Sequence, residues 1–231
     1  MAKISIITPV LNQVSSIDSC IQSVANQSAD VEHIIIDGGS TDGTVDVIKQ
    51  HEQLLTYWES SKDSGQSEAI NKGLSRCSGT FFNWLNADDK LTPKALQTVS
   101  NVATTDTNII IGKCQHITPN GRVLAVGSAK IWDSLEATLG NYSMGQPSVF
   151  YRTEKVREIG GLNNNLHLCL DMDLWFRFLL NFGQSEIIQT DKVLSYFTVH
   201  PSAKSSRLKE EMNAEKYGVY KALFSNFKLP A

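Results

Sequence analysis

The sequence predicts an α/β fold built on a mostly parallel sheet with helices on both faces. Two observations predict this fold: short apolar runs alternate with amphipathic segments through the first half of the chain, and polar turns follow the runs directly. In such a sheet the polar turns collect at the carboxyl ends of the strands, where ligands bind. The length of 231 residues is enough for one large domain with a substantial core.

The elements of the first half follow from these runs and from apolar residues at helical spacing. Strands are predicted at Lys3–Thr8, which Pro9 closes, and at His33–Ile36, Leu54–Trp58 and Thr80–Leu85. Helices are predicted around Ile17–Val24, around Val45–Ile48, over Ser67–Arg76, and from Pro93 onward with Thr92 as the N-cap.

After about residue 107 the pattern changes to a mixed sheet with longer helices. Asn120-Gly121 is a strong hairpin signal between strands at Cys114–Thr118 and Val123–Val126. The other strands are predicted at Ile109–Ile111, Ser148–Tyr151, Ile187–Gln189 and Leu194–Val199, and the helices at Trp132–Leu139, Asp171–Phe182 and Arg207–Phe227. The chain is interpreted as one domain with three parts, residues 1–107, 108–206 and 207–231.

The composition excludes several classes of protein. A hydrophobic content of 41% argues against disorder, and a net charge of -3 argues against binding of nucleic acid, which needs excess lysine and arginine. The cysteines form no Cys-x-x-Cys pair, which argues against zinc clusters and redox pairs and indicates reduced core residues. Neither a signal peptide nor a membrane span is predicted, so we expect a cytoplasmic protein that at most rests on the inner membrane face.

Polar residues after the first two strands are candidates for binding a nucleotide. Pro9 ends the first strand, so the backbone groups of the following residues, up to Asn12, are free to face a ligand. Asp37 follows the second strand before two glycines, where a carboxylate can accept from a base N–H or from ribose hydroxyls. An ordinary turn with Asp42 as helix cap remains the alternative.

The next two clusters suit phosphates and a metal ion. Residues 59–73 open a helix at Gly65, whose N-terminal amides favour anions, and Lys72 adds a positive charge. Asp88 and Asp89 follow an apolar run, and two adjacent carboxylates repel each other unless a cation intervenes. Oxygen ligands completed by a diphosphate suit Mg²⁺ or Mn²⁺.

Two late positions are candidates for catalysis or metal binding. Asp171 and Asp173 stand two apart at a helix start and so point in different directions, which lets one face a cleft as general base while the other caps or pairs. His200 follows a strand. Taken alone, two acids in a first helical turn and a structural histidine explain these residues equally well.

Taken in order, these motifs resemble the family 2 glycosyltransferases over roughly residues 4–205. The segments that carry the resemblance are TPVLN, IDGGSTDGT, WESSKDSGQSEAINKG, LNADD, LDMDLW and VHPSAKS. The resemblance implies the GT-A fold, a Rossmann-like sheet for the nucleotide joined to a mixed-sheet, acceptor-binding half. It also implies an inverting transfer, with Mg²⁺ or Mn²⁺, from a nucleotide sugar to a glycan or lipid-linked acceptor in bacterial polysaccharide biosynthesis, and we expect a UDP-linked donor.

The resemblance also assigns roles to single residues. The nucleotide pocket and the diphosphate segment are expected to include Thr8, Pro9, Asn12, Asp37, Asp63, Asn71, Lys72 and Asp89. Asp88 is expected to hold the metal, with His200 beside it, and Asp171 to be the catalytic base. Three positions depart from the common pattern: Gly38 and Asn86 replace acids, and Leu170 replaces a glutamate, which makes the alignment of the base less direct.

Other functions remain as alternatives to this interpretation. A sugar nucleotidyltransferase carries a Gly-rich loop with arginine and lysine after its first strand, where this chain has TPVLNQ. An inactive member that only binds a nucleotide or glycan is disfavoured by the presence of Asp88, Asp89 and Asp171. The helix from Arg207 is interpreted as packing on its own domain or on a twin subunit, and the alternative is contact with an anionic membrane.

Overall fold

A mixed sheet runs through both halves of the chain and carries helices on its two faces. The computed structural model describes residues 2–201 and 203–226, and over these ranges the sheet has nine strands. The strands are β1 (Ile4–Val10), β2 (Val31–Asp37), β3 (Tyr57–Ser60), β4 (Phe81–Trp84), β5 (Lys90–Leu91), β6 (Ile109–Ile117), β7 (Val123–Ser128), β8 (Val149–Arg152) and β9 (Ile187–Thr198). The helices are α1 (Ile17–Ala25), α2 (Thr44–Gln50), α3 (Gln66–Arg76), α4 (Ala95–Val102), α5 (Leu135–Gly140), α6 (Thr153–Glu158), α7 (Leu170–Phe182), α8 (Lys204–Arg207) and α9 (Lys209–Asn226).

The strand order places the two predicted parts side by side in one sheet. The order is β3-β2-β1-β4-β8-β6-β9-β5, and β7 pairs with β6 outside this path. β1, β2, β3 and β4 are parallel, β8 is antiparallel to both β4 and β6, and β9 is parallel to β6. The predicted α/β fold with a parallel first half and a mixed extension is therefore confirmed.

The packing of helices on both faces of the sheet explains why β1 is buried along its whole length. Alternate residues of a strand point to opposite faces, and both faces of this sheet are covered by helices. Ile6 packs with Leu96 and Val99 on the α4 side, and Ile7 packs with Ile70 of α3 on the other side. All four cysteines are free and buried, as the sequence predicts.

Several predicted boundaries were wrong. The third strand begins at Tyr57 because residues 52–54 form a 3₁₀ turn, and the two late strands join into β9. Thr92 is not an N-cap: its hydroxyl donates to the carbonyl oxygen of Val193 at 2.6 Å, and α4 begins after Lys94, which has a φ of 62°. The short elements β5 and α6 were not predicted from the sequence.

The C-terminal helix packs on its own domain. Val219 of α9 is buried, and Met212, Tyr220 and Leu223 pack against the same core cluster as α7. Phe227 of the predicted apolar side lies outside the described residues. Within the described part of the chain, none of the helices combines the length and the apolar character needed to cross a bilayer. Contact of α9 with a membrane surface stays a prediction.

Candidate active site

Three loops meet at the carboxyl edge of the parallel strands. β1 pairs with β2 up to the partners Val10 and Asp37, and with β4 up to Ile7 and Trp84. The loops that follow these strands therefore begin side by side, although they are far apart in the sequence. This edge is where an open α/β sheet binds its ligand.

Asn12 fastens the first two loops to each other. Its backbone N–H donates to Ser40 Oγ at 2.7 Å, and its side-chain oxygen accepts from the N–H of Thr41 at 2.9 Å. Asp42 adds a second link, because its carboxylate accepts from the N–H of Val14 and from the N–H of Thr44 at the start of α2, both at 3.0 Å. The first two loops thus form one connected wall.

Thr8, Pro9 and Asp37 lie beneath this wall and are buried. The carboxylate of Asp37 has no exposed surface and accepts from the backbone N–H of Gly39 and Ser40, each at 3.0 Å, and from Ser60 Oγ at 2.6 Å. The Thr8 hydroxyl lies 2.9 Å from the ring of the buried His33. Contact of Asp37 with a base, as expected from the sequence, would therefore require its loop to open.

Asp63 occupies the space that a side chain at position 38 would need. A Cβ built on Gly38 would lie 2.9 Å from Asp63 Oδ2. Burial raises the pKa of Asp63 above its ordinary value. The carboxylate accepts a hydrogen bond from the Gly65 N–H at 3.0 Å, and this bond opposes the shift. The missing acid at position 38 is thus explained by the close approach of the carboxylate at position 63.

The two other residues predicted in this segment make contacts within the protein. The side chain of Asn71 donates to the carbonyl oxygen of Leu162 and to Asn164, both at 2.8 Å, and accepts from the Leu162 N–H at 2.9 Å. Lys72 forms an ion pair with Glu68 at 2.8 Å. In the structure Asn71 holds a distant loop, and direct contact of either residue with a donor stays a prediction.

Asp88 and His200 converge after β4 and β9. Asp88 Oδ2 lies 2.9 Å from His200 Nε2, and both side chains are partly exposed. Asp89 points the other way: it is buried, and its carboxylate accepts from the N–H of Thr198 at 2.9 Å. Burial and the neighbouring Asp88 raise the pKa of Asp89 well above its ordinary value. Asp89 therefore fastens the loop after β4 to β9.

Asp88 and His200 carry a carboxylate and an imidazole, two groups that can bind divalent metal ions. No group of three or more histidine, cysteine, aspartate or glutamate side chains that would hold a metal is found among residues 2–201 and 203–226. Asn86, which replaces the first acid of the metal motif, accepts from the side chain of Gln66 at 2.7 Å.

Lys204 is a cation near this site that the sequence analysis did not include. Its ammonium donates to Gln66 Oε1 at 3.4 Å. Partial desolvation lowers the pKa of Lys204, while the negative charges of Glu215, Asp63 and Asp88 act in the opposite direction. The residue lies in the segment VHPSAKS, but a single lysine after a strand does not by itself indicate a binding site.

Asp171 and Asp173 have different surroundings at the start of α7. Asp171 accepts from the Tyr142 hydroxyl at 3.0 Å and from the N–H of Met172 at 2.9 Å, and burial raises its pKa. Asp173 is buried and forms an ion pair with Arg177. Both acids lie in the first turn of α7, as the structural alternative has it, but among the described residues only Asp173 is paired with a cation. Tyr142 was missed, because nothing in the sequence near it indicates a site.

Comparison with known proteins identifies related chains. A family model described as glycosyl transferase family 2 matches residues 5–159. Among curated proteins, a PGL/p-HBAD biosynthesis glycosyltransferase of Mycobacterium bovis is 37% identical over 93 residues, which are 38% of this chain and 36% of the relative.

Solved structures share the fold at low sequence identity. S. aureus TarS in complex with UDP-GlcNAc has a TM-score of 0.73 and 18% identity, over 96% of this chain and 65% of that one. The mannosyltransferase PcManGT from Pyrobaculum calidifontis, in complex with GDP-Man and Mn²⁺, has a TM-score of 0.64 and 16% identity, over 87% of this chain and 58% of that one. The chain thus spans less than two thirds of the length of each of these proteins.

Proposed function

Because the chain belongs to glycosyl transferase family 2, we propose that it transfers one sugar from a nucleotide-sugar donor to an acceptor hydroxyl, with inversion at the anomeric carbon. The observation that carries the proposal is the convergence of Asp88 and His200 at the carboxyl edge of the sheet, beside the loops of Asn12 and Asp63. The similar TarS and PcManGT structures contain UDP-GlcNAc and GDP-Man, which supports a nucleotide sugar as donor. We propose a UDP-linked donor.

The donor set of Asp88 and His200 fits a divalent metal ion. The Asp88 carboxylate and the His200 imidazole, whose nearest atoms lie 2.9 Å apart, would be neighbouring ligands of the metal. A carboxylate together with an imidazole suits Mn²⁺. Mg²⁺ prefers oxygen ligands more strongly, so the imidazole suits it less well. Bound there, the metal would act as a Lewis acid for the negative charge of the leaving diphosphate.

The chain's own residues provide the rest of the donor site. Lys204 adds a positive charge close to Asp63 and Asp88, which suits a diphosphate that carries more negative charge as it leaves. The wall formed by Asn12 and Asp42 orients the nucleotide. Asp89 keeps the loop of Asp88 against β9 through the Thr198 N–H, so that Asp88 and His200 stay adjacent.

Asp171 is the proposed base. In a single displacement the acceptor hydroxyl attacks the anomeric carbon, and its proton passes to a carboxylate oxygen of Asp171 while the bond to the diphosphate breaks. A carboxylate with a raised pKa is a stronger base than an ordinary one, so the burial of Asp171 suits this role. No covalent enzyme intermediate is required. Asp173 is occupied by Arg177 and takes no part in the proton transfer.

The proposed acceptor is a glycan or a lipid-linked sugar. The support is the M. bovis relative named for PGL/p-HBAD biosynthesis, with which this chain shares 93 aligned residues. We propose a role in the assembly of bacterial surface polysaccharide or glycolipid.

The test is donor turnover with and without EDTA. The thermal stability of the protein is measured first with UDP-GlcNAc or GDP-mannose in the presence of Mn²⁺. A bound ligand at a hundredfold excess over its Kd adds about 2.7 kcal/mol to the free energy of unfolding. We expect one donor to be bound and then hydrolysed slowly in the absence of acceptor, with EDTA stopping the reaction. Donor binding without turnover would favour an inactive binding module. Release of pyrophosphate in a reaction of a sugar phosphate with a nucleoside triphosphate would favour a nucleotidyltransferase.

A further inference from the structure

Residues 162–169 connect α3 with the start of α7, and we call them the bridging segment. At its first end, Asn71 of α3 binds both Leu162 and Asn164. Further along, Ser67 Oγ donates to the carbonyl oxygen of Leu166 at 2.9 Å. The segment therefore runs along the helix that begins at the proposed diphosphate loop, and it ends two residues before Asp171.

The other end of the bridging segment is held by one carboxylate of α9. Glu215 accepts from three successive backbone N–H groups, those of His167 at 2.8 Å, Leu168 at 2.7 Å and Cys169 at 2.5 Å. The Cys169 thiol also donates to the carbonyl oxygen of Met212, one turn earlier on α9, at 3.4 Å. Hydrogen bonds from backbone N–H to an ionised carboxylate are about twice as strong as neutral ones.

These contacts determine where α7 begins. Cys169 is the N-cap residue of α7, directly before Leu170, and Asp171 lies in the first turn of the helix. A shift of the Cys169 backbone would therefore move the Asp171 carboxylate with it. A misplacement of about 1 Å can cost on the order of a hundredfold in rate, even when its cause lies outside the reacting groups.

We propose that Glu215 is a positioning residue for the reaction, which places the Asp171 carboxylate by holding the backbone of residues 167–169. This inference rests on the proposed function of Asp171 as base. It also gives the C-terminal helix a role in the chemistry, since α9 contributes the group that orients the base-bearing helix.

The charge of Glu215 also reaches Asp171. Among residues 2–201 and 203–226, the titratable groups that interact electrostatically with Asp171 are Tyr142, Tyr151, Cys169 and Glu215. Tyr142 donates to the carboxylate and lowers its pKa, whereas the negative charge of Glu215 raises it. Removing that charge lowers the pKa of Asp171, so the acid limb of the rate profile moves to lower pH. A residue that stabilised the fold without an electrostatic effect on Asp171 would leave this limb in place.

The experiment compares Glu215→Gln with Glu211→Gln, which changes an exposed glutamate one turn earlier on the same helix. A carboxamide has one acceptor oxygen and cannot bind three N–H groups. We expect amide hydrogen exchange at residues 167–169 to become at least about tenfold faster in Glu215→Gln. We also expect its kcat for release of UDP or GDP from UDP-GlcNAc or GDP-mannose to fall on the order of tenfold to a hundredfold, with donor KM unchanged. Glu211→Gln should match the wild type in both measurements.

Two further variants separate the outcomes. Glu215→Asp retains the charge on a side chain one methylene shorter, and we expect intermediate exchange rates and an acid limb close to that of the wild type. If Glu215→Gln fails to fold, Glu215→Asp becomes the test. Wild-type amide exchange at residues 167–169 together with wild-type kcat in Glu215→Asp would then overturn the proposal. If Asp171→Asn abolishes turnover while Glu215→Gln has wild-type exchange and kcat, the positioning role is wrong and the proposed function stands. If Asp171→Asn turns over normally, the proposed base itself is wrong.

Discussion

The hydroxyl of Tyr142 lies 3.0 Å from the carboxylate of Asp171 and donates to it, across 29 residues of sequence. The hydrogen bond stabilises the ionised form of the acid, while burial of the same carboxylate favours the neutral form and is the larger effect. The proton affinity of the proposed base is therefore a balance between these two effects.

Tyr142→Phe is expected to move the acid limb of the rate profile to higher pH. Asp171 must be ionised to accept a proton, so the rate falls as the pH drops through its raised pKa. Loss of the phenol donor raises this pKa further, and the fall then begins at a higher pH. Measurement of kcat against pH checks the shift, with Tyr217→Phe, a change at an exposed tyrosine of α9, as control. Coincident limbs for the two variants would show that Tyr142 has no influence on the base.

Asp171→Asn should lose activity without losing stability. Removal of a general base costs on the order of 10² or more in rate. The raised pKa of Asp171 means that the ionised carboxylate disfavours the fold. This cost develops as the pH rises from the unfolded value through the raised folded value, and it is absent in acid. At neutral pH we therefore expect the variant to melt at or above the wild-type temperature, by calorimetry, with donor binding retained.

Asp173→Asn should lose stability and keep its activity. Arg177 would lose its ionic partner while its guanidinium remains bonded to the carbonyl oxygens of Ile159 and Gly161. We expect a loss of about 1–3 kcal/mol in the free energy of unfolding, the scale for a buried charged group left without its partner. Turnover by the folded fraction should stay close to the wild-type rate. A larger catalytic defect than that of Asp171→Asn would reverse the assignment of the two acids.

Asp88→Ala should abolish metal-dependent donor binding and leave the fold intact. His200→Ala should weaken it less, because the carboxylate supplies the negative charge of the pair. Calorimetric titration of UDP with and without Mn²⁺ measures both effects. A Mn²⁺ dependence of UDP affinity that survives in Asp88→Ala would exclude this residue as the metal ligand.

Gly38→Ala should weaken donor binding while the protein stays folded. The added Cβ meets the end of the Asp63 side chain, which can rotate away, so the change displaces a carboxylate and not the backbone. We expect donor affinity to fall about threefold to tenfold, the scale of one polar contact. In the control Gly112→Ala, the added Cβ clashes with the buried side chain of Leu194. We expect this variant to have a lower melting temperature.

The sequence indicates the edge of the sheet better than it indicates the contacts made there. Asp37 and Asp88 became candidates because each follows an apolar run and parallel strands bring their carboxyl ends together. His200 became a candidate through the family resemblance. The partners of these residues were not found, since Tyr142 lies in an irregular loop and Glu215 on a helix face that is defined only by packing. The contacts of Asn71 with Leu162 and Asn164 also depend on how the two halves pack, which no local pattern records.

The hydrogen bond from the N–H of Thr198 to Asp89 joins residues 109 positions apart, and the pair of Asp88 and His200 spans 112. During synthesis on the ribosome the chain emerges from its N-terminus, at about 5–20 residues per second. The parallel strands and their loops are thus complete roughly 5–20 s before β9 is made. In that interval Asp89 has no Thr198 to bind and Asp88 has no His200 beside it, so a nascent or truncated chain that ends before residue 198 lacks part of the proposed metal site.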